Sequence, residues 1–378
     1  MNQLILQCAA AAALVSTSVV SAATYQFTPV VDNTGPISQI NNASLNDTGS
    51  TLIESLLDTG SNSIDVYGVG ARNVGFGGPQ AQTPYFNVAF AGINNLGQVA
   101  FNGITYTPTN WHLRTNTAGV ETTNRSFANT DTFGNLNAIN DTSAIAYRAT
   151  VGATPSTIYR TVGTTHTTMA QVGANGFQTL FDPSINNAGN VAFRANRNGV
   201  FGLYVSNGTT LTTIADPSGP IQDISSLPPA FNDAGQVAFT ASLDAGGEAL
   251  YIGNGTTLTP LLDTSGPFED LSWTAINSLG QVAFAGTLDG GTTGGVYMAL
   301  GGGAFEKVIG IGDPLFGSTV TSVFMKTDAL NDAGQIALIY RLATGVRGVA
   351  IATPVPEPHA LAVTFGGLWL LACRRRSS

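Results

Sequence analysis

Hydrophobic and polar positions alternate in short runs along this chain, and an Asn-x-x-Gly element punctuates the runs. Its clearest form is Ile93-Asn94-Asn95-Leu96-Gly97-Gln98-Val99-Ala100-Phe101. It recurs at 185–193, 231–239 and 276–284, with weaker copies at 139–147 and 330–338 and a degenerate one at Leu45-Asn46-Asp47-Thr48-Gly49. The leading asparagines stand at 46, 94, 140, 186, 232, 277 and 331, spaced by 48, 46, 46, 46, 45 and 54 residues. A fixed period of this length marks a repeat architecture, in which each unit buries its apolar face against a neighbour.

Each unit reads as four short strands; in the sixth they are predicted at 272–276, 281–288, 295–300 and 305–309. The Asn-x-x-Gly element between the first two is a hairpin turn. Asn bonds its own backbone two residues on, and Gly takes the left-handed conformation without steric cost. Asn94 with Gly97, Asn186 with Gly189, Asn232 with Gly235, Asn277 with Gly280 and Asn331 with Gly334 are therefore read as structural. The third unit places Ser143 where the others have Gly, at an expected cost of about 1 kcal/mol. The seventh has Leu338 in place of Phe, and the first loses the Val-Ala-Phe strand to Ser50-Thr51-Leu52-Ile53. In the strand after the turn, Val and Phe point to one face and Ala to the other. Large residues on one sheet then meet small ones on the next, as interdigitated packing requires.

Four-stranded units of about 46 residues fit the blades of a β-propeller. The last repeat supplies 335–342 and 347–352 and then lacks a fourth strand. The segment 24–36 at the other end looks like the fourth strand and exit of other units, such as 258–267. The expectation is an all-β fold: a seven-bladed β-propeller of four-stranded antiparallel blades, closed by the N-terminal strand, with 24–31 paired to 346–352. An open solenoid is the alternative.

The ends read differently from the body. Residues 1–23 carry a short apolar run ending in Val20-Ser21-Ala22-Ala23, the pattern of a signal peptide, although no Lys or Arg precedes the run. A lipoprotein signal using Cys8 is disfavoured by the large Gln7. At the other end, Pro356-Glu357-Pro358 leads into an apolar stretch from Ala360 to Ala372 and then Arg374-Arg375-Arg376. That order resembles the PEP-CTERM sorting signal of bacteria that export surface proteins and assemble exopolysaccharide. The resemblance implies an exosortase as processing partner and a membrane segment before processing. The 13 apolar residues fall short of the roughly 17–25 that cross a bilayer comfortably, which favours a handling segment over a permanent anchor. The repeats themselves resemble the NxxGxxAF tandem-repeat family. The chain thus divides into 1–23 (signal peptide), 24–353 (seven-repeat propeller) and 354–378 (sorting signal).

Charge narrows the function. The chain has 14 basic and 23 acidic side chains and only 10% charged residues, against roughly a quarter in an average domain. Three of the basic groups and one acidic group lie in the tail, so 24–353 is net −11. An acidic body without a basic stripe excludes nucleic acid as a partner. Both cysteines, Cys8 and Cys373, sit in the two ends, which leaves the body no disulfide, thiolate metal site or cysteine nucleophile.

Candidate chemistry is sparse. His112, His166 and His359 occur singly, without metal-ligand spacing, and no cofactor or metal is expected. Asp32, Asp216, Asp263 and Asp313 recur beside Gly and Pro at equivalent places, which favours a turn role over a catalytic one. Calcium in the surface loops stays open. Residues that break the repeat are better ligand contacts: Trp111 and Arg114 in the second unit and Trp273 in the sixth, since aromatic and guanidinium groups stack on and bond to sugars. Both tryptophans also suit core positions held by Tyr or Phe elsewhere. The resulting expectation is an exported bacterial surface or extracellular-matrix protein, non-catalytic and binding exopolysaccharide or another envelope component. A carbohydrate-active hydrolase or lyase on the same scaffold is the alternative; it needs two carboxylates facing each other across one end of the ring.

Overall fold

The computed structural model describes residues 24–355 apart from 81, 107–108, 129, 135–136 and 292–293. The expected signal peptide and the tail from Pro356, with its Pro-Glu-Pro triplet and three arginines, lie outside the described residues. Among the described residues no helix is long and apolar enough to cross a membrane.

Seven antiparallel sheets follow one another along the chain, spanning 37–76, 85–127, 132–171, 177–215, 221–263, 268–310 and 314–355. They are called blades 1 to 7 below. In blade 6 the strands are Phe268–Ile276, Val282–Leu288, Gly294–Gly301 and Ala304–Gly310, so the predicted elements all form. Blade 1 corrects one expectation. Its second strand, Thr51–Leu57, is present despite the lost Val-Ala-Phe signature, because Leu52 and Ile53 are buried in its place. A β-branched or apolar pair at that position suffices to cover the seam.

The seams follow the size alternation. Ala146 of blade 3 packs with Val191 and Phe193 of blade 4. Ala192 packs in turn with Val237 and Phe239, and Ala238 with Val282 and Phe284. These side chains are almost wholly buried, and each Val or Phe contributes about 1.5–3 kcal/mol of burial. The ring is closed as expected. Strand Thr24–Asp32 adds to the outer edge of Arg347–Val355 as the fourth strand of blade 7. Asn33 continues the clasp: its N–H donates to the Arg347 carbonyl at 2.9 Å, and its Oδ1 accepts the Arg347 N–H at 2.8 Å.

The Asn-x-x-Gly element does more than turn the chain. As read, Asn94 Oδ1 accepts the N–H groups of Leu96 (3.1 Å) and Gln98 (2.8 Å), and Gly97 has φ +71°. Asn94 Nδ2 also donates to the Asn140 carbonyl of the next blade at 2.8 Å. The same bond runs from Asn46 to Asn94 (2.9 Å), Asn140 to Asn186 (2.8 Å) and Asn186 to Asn232 (3.4 Å). It continues from Asn232 to Asn277 (2.9 Å), Asn277 to Asn331 (3.1 Å) and Asn331 back to Asn46 (3.2 Å). All seven asparagines are buried, so they form a closed hydrogen-bonded hoop. Ser143 does adopt the left-handed conformation, at φ +62°, and its hydroxyl donates to Gln98 Oε1 at 2.6 Å. That bond offsets the strain that the Cβ introduces.

Candidate functional site

The first strand of every blade faces the axis, and every one of them is irregular at mid-length. In blades 1, 2 and 6 the irregularity is a bulge, at 40–42, 89–92 and 271–274. In blades 4 and 5 it is a break, at 181–183 and 225–229, and in blade 3 the pieces Thr132–Phe133 and Ala138–Ile139 pair separately with Ala144–Thr150. In blade 7 it is the segment 325–329. Here the repeat is not kept, because a bulge or break in the ladder releases the side chains from the strict alternation of the seam. The irregular segments wall an axial cavity of about 530 Å³ to which all seven blades contribute.

They are pinned to one another. Asn137 Nδ2 donates to the Phe90 carbonyl at 2.7 Å, Ser184 Oγ to the Pro229 carbonyl at 2.6 Å, and Thr327 Oγ1 to the Pro228 carbonyl at 3.4 Å. Leu45 N–H donates to the Asp328 carbonyl at 3.0 Å. A Cβ at Gly92 would collide with the Asn137 carbonyl oxygen, so this close approach requires glycine. Phe90 is held at φ +60°, a strained value for an aromatic residue. Glu54 holds it there: Oε2 accepts the Phe90 N–H at 2.9 Å, and Oε1 accepts the Ala91 N–H at 3.0 Å and Asn42 Nδ2 at 3.2 Å. The cavity is therefore preorganised.

Its chemistry is carried by a few groups. Lys326 Nζ lies 4.1 Å from the centroid of the Trp273 ring, a cation–π contact. Burial pulls the Lys326 ammonium below its ordinary value, opposed by the charges of Asp328 and Glu54. Burial raises Glu54, while its three donors lower it. Burial also raises Asp328, with the Ser44 hydroxyl and Lys326 pulling the other way. Asp328 is open to the water of the channel although protein surrounds it on all sides. Accessibility decides what reaches it, so it is the carboxylate a ligand would meet, whereas Glu54 is spent on the Phe90 bulge.

One end of the cavity is rimmed by the residues that follow the hoop asparagines. Asp47, Asn95, Asp233, Ser278 and Asp332 line it. Each rim residue is tied to a neighbouring blade, as in Asp332 N–H to Asp47 Oδ1 and Asn95 N–H to Asp141 Oδ1, both 2.7 Å, and Asn187 N–H to Asp233 Oδ1 at 2.6 Å. Burial raises Asp47, and the charge of Asp332 adds to the rise. Among the described residues no group of three or more His, Cys, Asp or Glu is placed to hold a metal ion.

Residues 29–362 match the model of a family of unknown function, DUF7453. The chain belongs to that family. No curated protein sequence matches it. Among solved structures it is similar to an oligogalacturonate lyase in complex with manganese, with 12% identity over 89% of this chain and 99% of that one and a TM-score of 0.54. It is also similar to an oligogalacturonate lyase from Vibrio parahaemolyticus, with 14% identity, coverage of 89% and 98%, and a TM-score of 0.53. A prolyl endopeptidase is matched at 11% identity and a TM-score of 0.54, over 85% of this chain and 51% of that one. The DUF7453 chain thus spans about half of the endopeptidase. At these identities the likeness establishes the propeller fold.

Within this DUF7453 propeller, the three ligand contacts expected from sequence separate. Trp273 lines the axial cavity. Trp111 stacks on Phe90 at 6.5 Å and packs against Phe133 at 5.9 Å, between blades 2 and 3 and outside the cavity lining. Arg114 is paired with Glu121 at 3.3 Å and lies over the Tyr85 ring at 5.2 Å, also outside it. Asp32 and Asp263 each accept the N–H two residues on, at 2.9 Å, in the turn geometry expected of them. Sequence reasoning missed Glu54, Lys326 and Asp328. One signal pointed at the last two: they lie in the 54-residue interval, the longest between hoop asparagines.

Proposed function

We propose that this protein is an exported bacterial surface or matrix component that binds a glycan in its axial channel and performs no chemistry on it. The observation that carries the reading is the preorganised cavity of about 530 Å³. Its wall offers the Trp273 ring together with side-chain amides such as Asn41, Asn42 and Asn95. An aromatic face and fixed amides match the apolar face and hydroxyl rim of a sugar ring. Export and processing by an exosortase are supported by the sequences of residues 1–23 and 354–378. Retention near exopolysaccharide follows from the same tail.

The test is a glycan array probed with the purified protein, followed by titration of the best binder. Trp273→Ala is expected to weaken it by about tenfold or more, corresponding to about 1.4 kcal/mol, without loss of the folded state. Binding to no polysaccharide at all would move the reading to a protein partner or a structural role.

A second reading, a hydrolase or lyase, is favoured by one observation. Asp328, raised by its surroundings, stands beside Lys326 in a concave site, the arrangement expected of an acid–base pair. The shared fold of the oligogalacturonate lyases is in keeping with it. The described residues do not fit a manganese ion. Product analysis on every bound polymer decides: release of unsaturated or reducing ends that Asp328→Asn abolishes would establish catalysis, and intact polymer would remove it.

A further inference from the structure

The charge on the channel wall is one-sided. Asp47, Glu54, Asp233, Asp328 and Asp332 wall the cavity, against a single basic lining residue, Lys326. Among the described residues the ion pairs within 4.0 Å lie elsewhere, at Arg114–Glu121, Arg148–Asp182, Arg194–Asp223 and Lys307–Asp313. The rim carboxylates are thus left without a cation, and a concave low-dielectric wall focuses their field on whatever enters.

One further observation points the same way. An ammonium group already occupies the cavity: Lys326 rests on Trp273 and is drawn by Asp328 and Glu54. The protein's own side chain therefore displays the surroundings in which an ammonium is held. Carboxylates without a counter-cation call for a ligand that brings positive charge.

We infer that the channel selects a glycan bearing free ammonium groups, an amino sugar chain, over its neutral N-acylated form and over a uronate chain. This rests on the glycan-binding reading. It also sets the channel apart from any uronate polymer, because a carboxylated sugar would bring a further negative charge against the rim.

The experiment is calorimetric titration of the full chain with three oligomers of equal length: β-1,4-linked glucosamine, the same oligomer N-acetylated, and galacturonate. It is run below neutral pH, where the glucosamine amine is charged. The free-amine oligomer is expected to bind at least about tenfold more tightly than its acetylated twin, and the uronate to bind weakest. Equal affinities, or a preference for the uronate, overturn the selectivity and leave glycan binding standing. Binding by none of the three overturns the selectivity as well, and the glycan array then decides whether glycan binding itself stands.

The double variant Asp47→Asn, Asp332→Asn separates charge from shape. Asn occupies the same rim position in blades 2 and 4, as Asn95 and Asn187, where it makes the inter-blade bond equally well. The variant is therefore expected to fold. It should lose about tenfold in affinity for the free-amine oligomer and keep its affinity for the acetylated one. An equal loss for both oligomers, or no loss for either, overturns the electrostatic account.

Discussion

The hoop of asparagines makes a prediction that separates two roles of one side chain. Asn140 Oδ1 accepts the N–H groups of Thr142 (3.1 Å) and Ala144 (2.8 Å) within its own turn, and Nδ2 donates to the Asn186 carbonyl at 2.8 Å. The Thr142 hydroxyl also donates to Oδ1, at 2.9 Å. Asn140→Ala removes all four bonds at a buried position. At about 1 kcal/mol each, the expected loss of stability is about 4 kcal/mol. Asn140→Asp keeps the turn bonds, since a carboxylate accepts as well as an amide oxygen does. It also replaces the inter-blade donor by an oxygen facing the Asn186 carbonyl. The lost bond, the repulsion and the burial of a charge together predict a cost of at least about 3 kcal/mol. The assay is equilibrium urea denaturation at neutral pH, followed by far-UV circular dichroism and tryptophan fluorescence. If the asparagine served its turn alone, Asp would be nearly neutral and Ala costly. An Asp variant within about 0.5 kcal/mol of the parent, a margin below one ordinary hydrogen bond, would refute the hoop.

Three further outcomes are expected. Ser143→Gly should leave stability within about 0.5 kcal/mol, because relief of the left-handed strain cancels the lost bond to Gln98, whereas Ser143→Ala should cost about 1 kcal/mol; urea midpoints check both. Deleting residues 24–33 removes the fourth strand of blade 7 and the Asn33–Arg347 clasp, so the protein should lose its cooperative transition and expand, as read by size-exclusion chromatography and calorimetry. Glu54 and Asp328 are both raised in the folded state. From about pH 4 upward the native protein therefore holds protons that the unfolded chain has released, and stability falls as pH rises through that window. The double variant Glu54→Gln, Asp328→Asn should flatten this slope in a pH series of denaturation curves; an unchanged slope would mean that other groups carry it.

Much of the architecture was legible in the sequence because it is encoded locally. The Asn-x-x-Gly turn needs residues that bond their own backbone and tolerate positive φ, and Gly97 and Asn94 meet both needs within four positions. The seam pattern needs only the period-two alternation that Val191, Ala192 and Phe193 display. Trp273 stood out as a residue that broke the pattern, and it lines the cavity. Trp111 broke it equally and fills a seam, because repeat-breaking marks a changed environment without saying which one.

The sequence by itself determined the number of blades, the strand order within each and the chain end that completes the ring. These follow from a hydrophobic period and from a strand missing at one end and surplus at the other. The tertiary structure alone decided what meets at the axis. Glu54, Trp273, Lys326 and Asp328 come from three blades and are brought together when the ring closes. The asparagine hoop likewise exists only between blades, with Asn331 bonded to Asn46 across 285 residues of chain. Periodicity records how each unit folds against its neighbour. A central channel is made where the units depart from that period, and its chemistry depends on angles that no single unit contains.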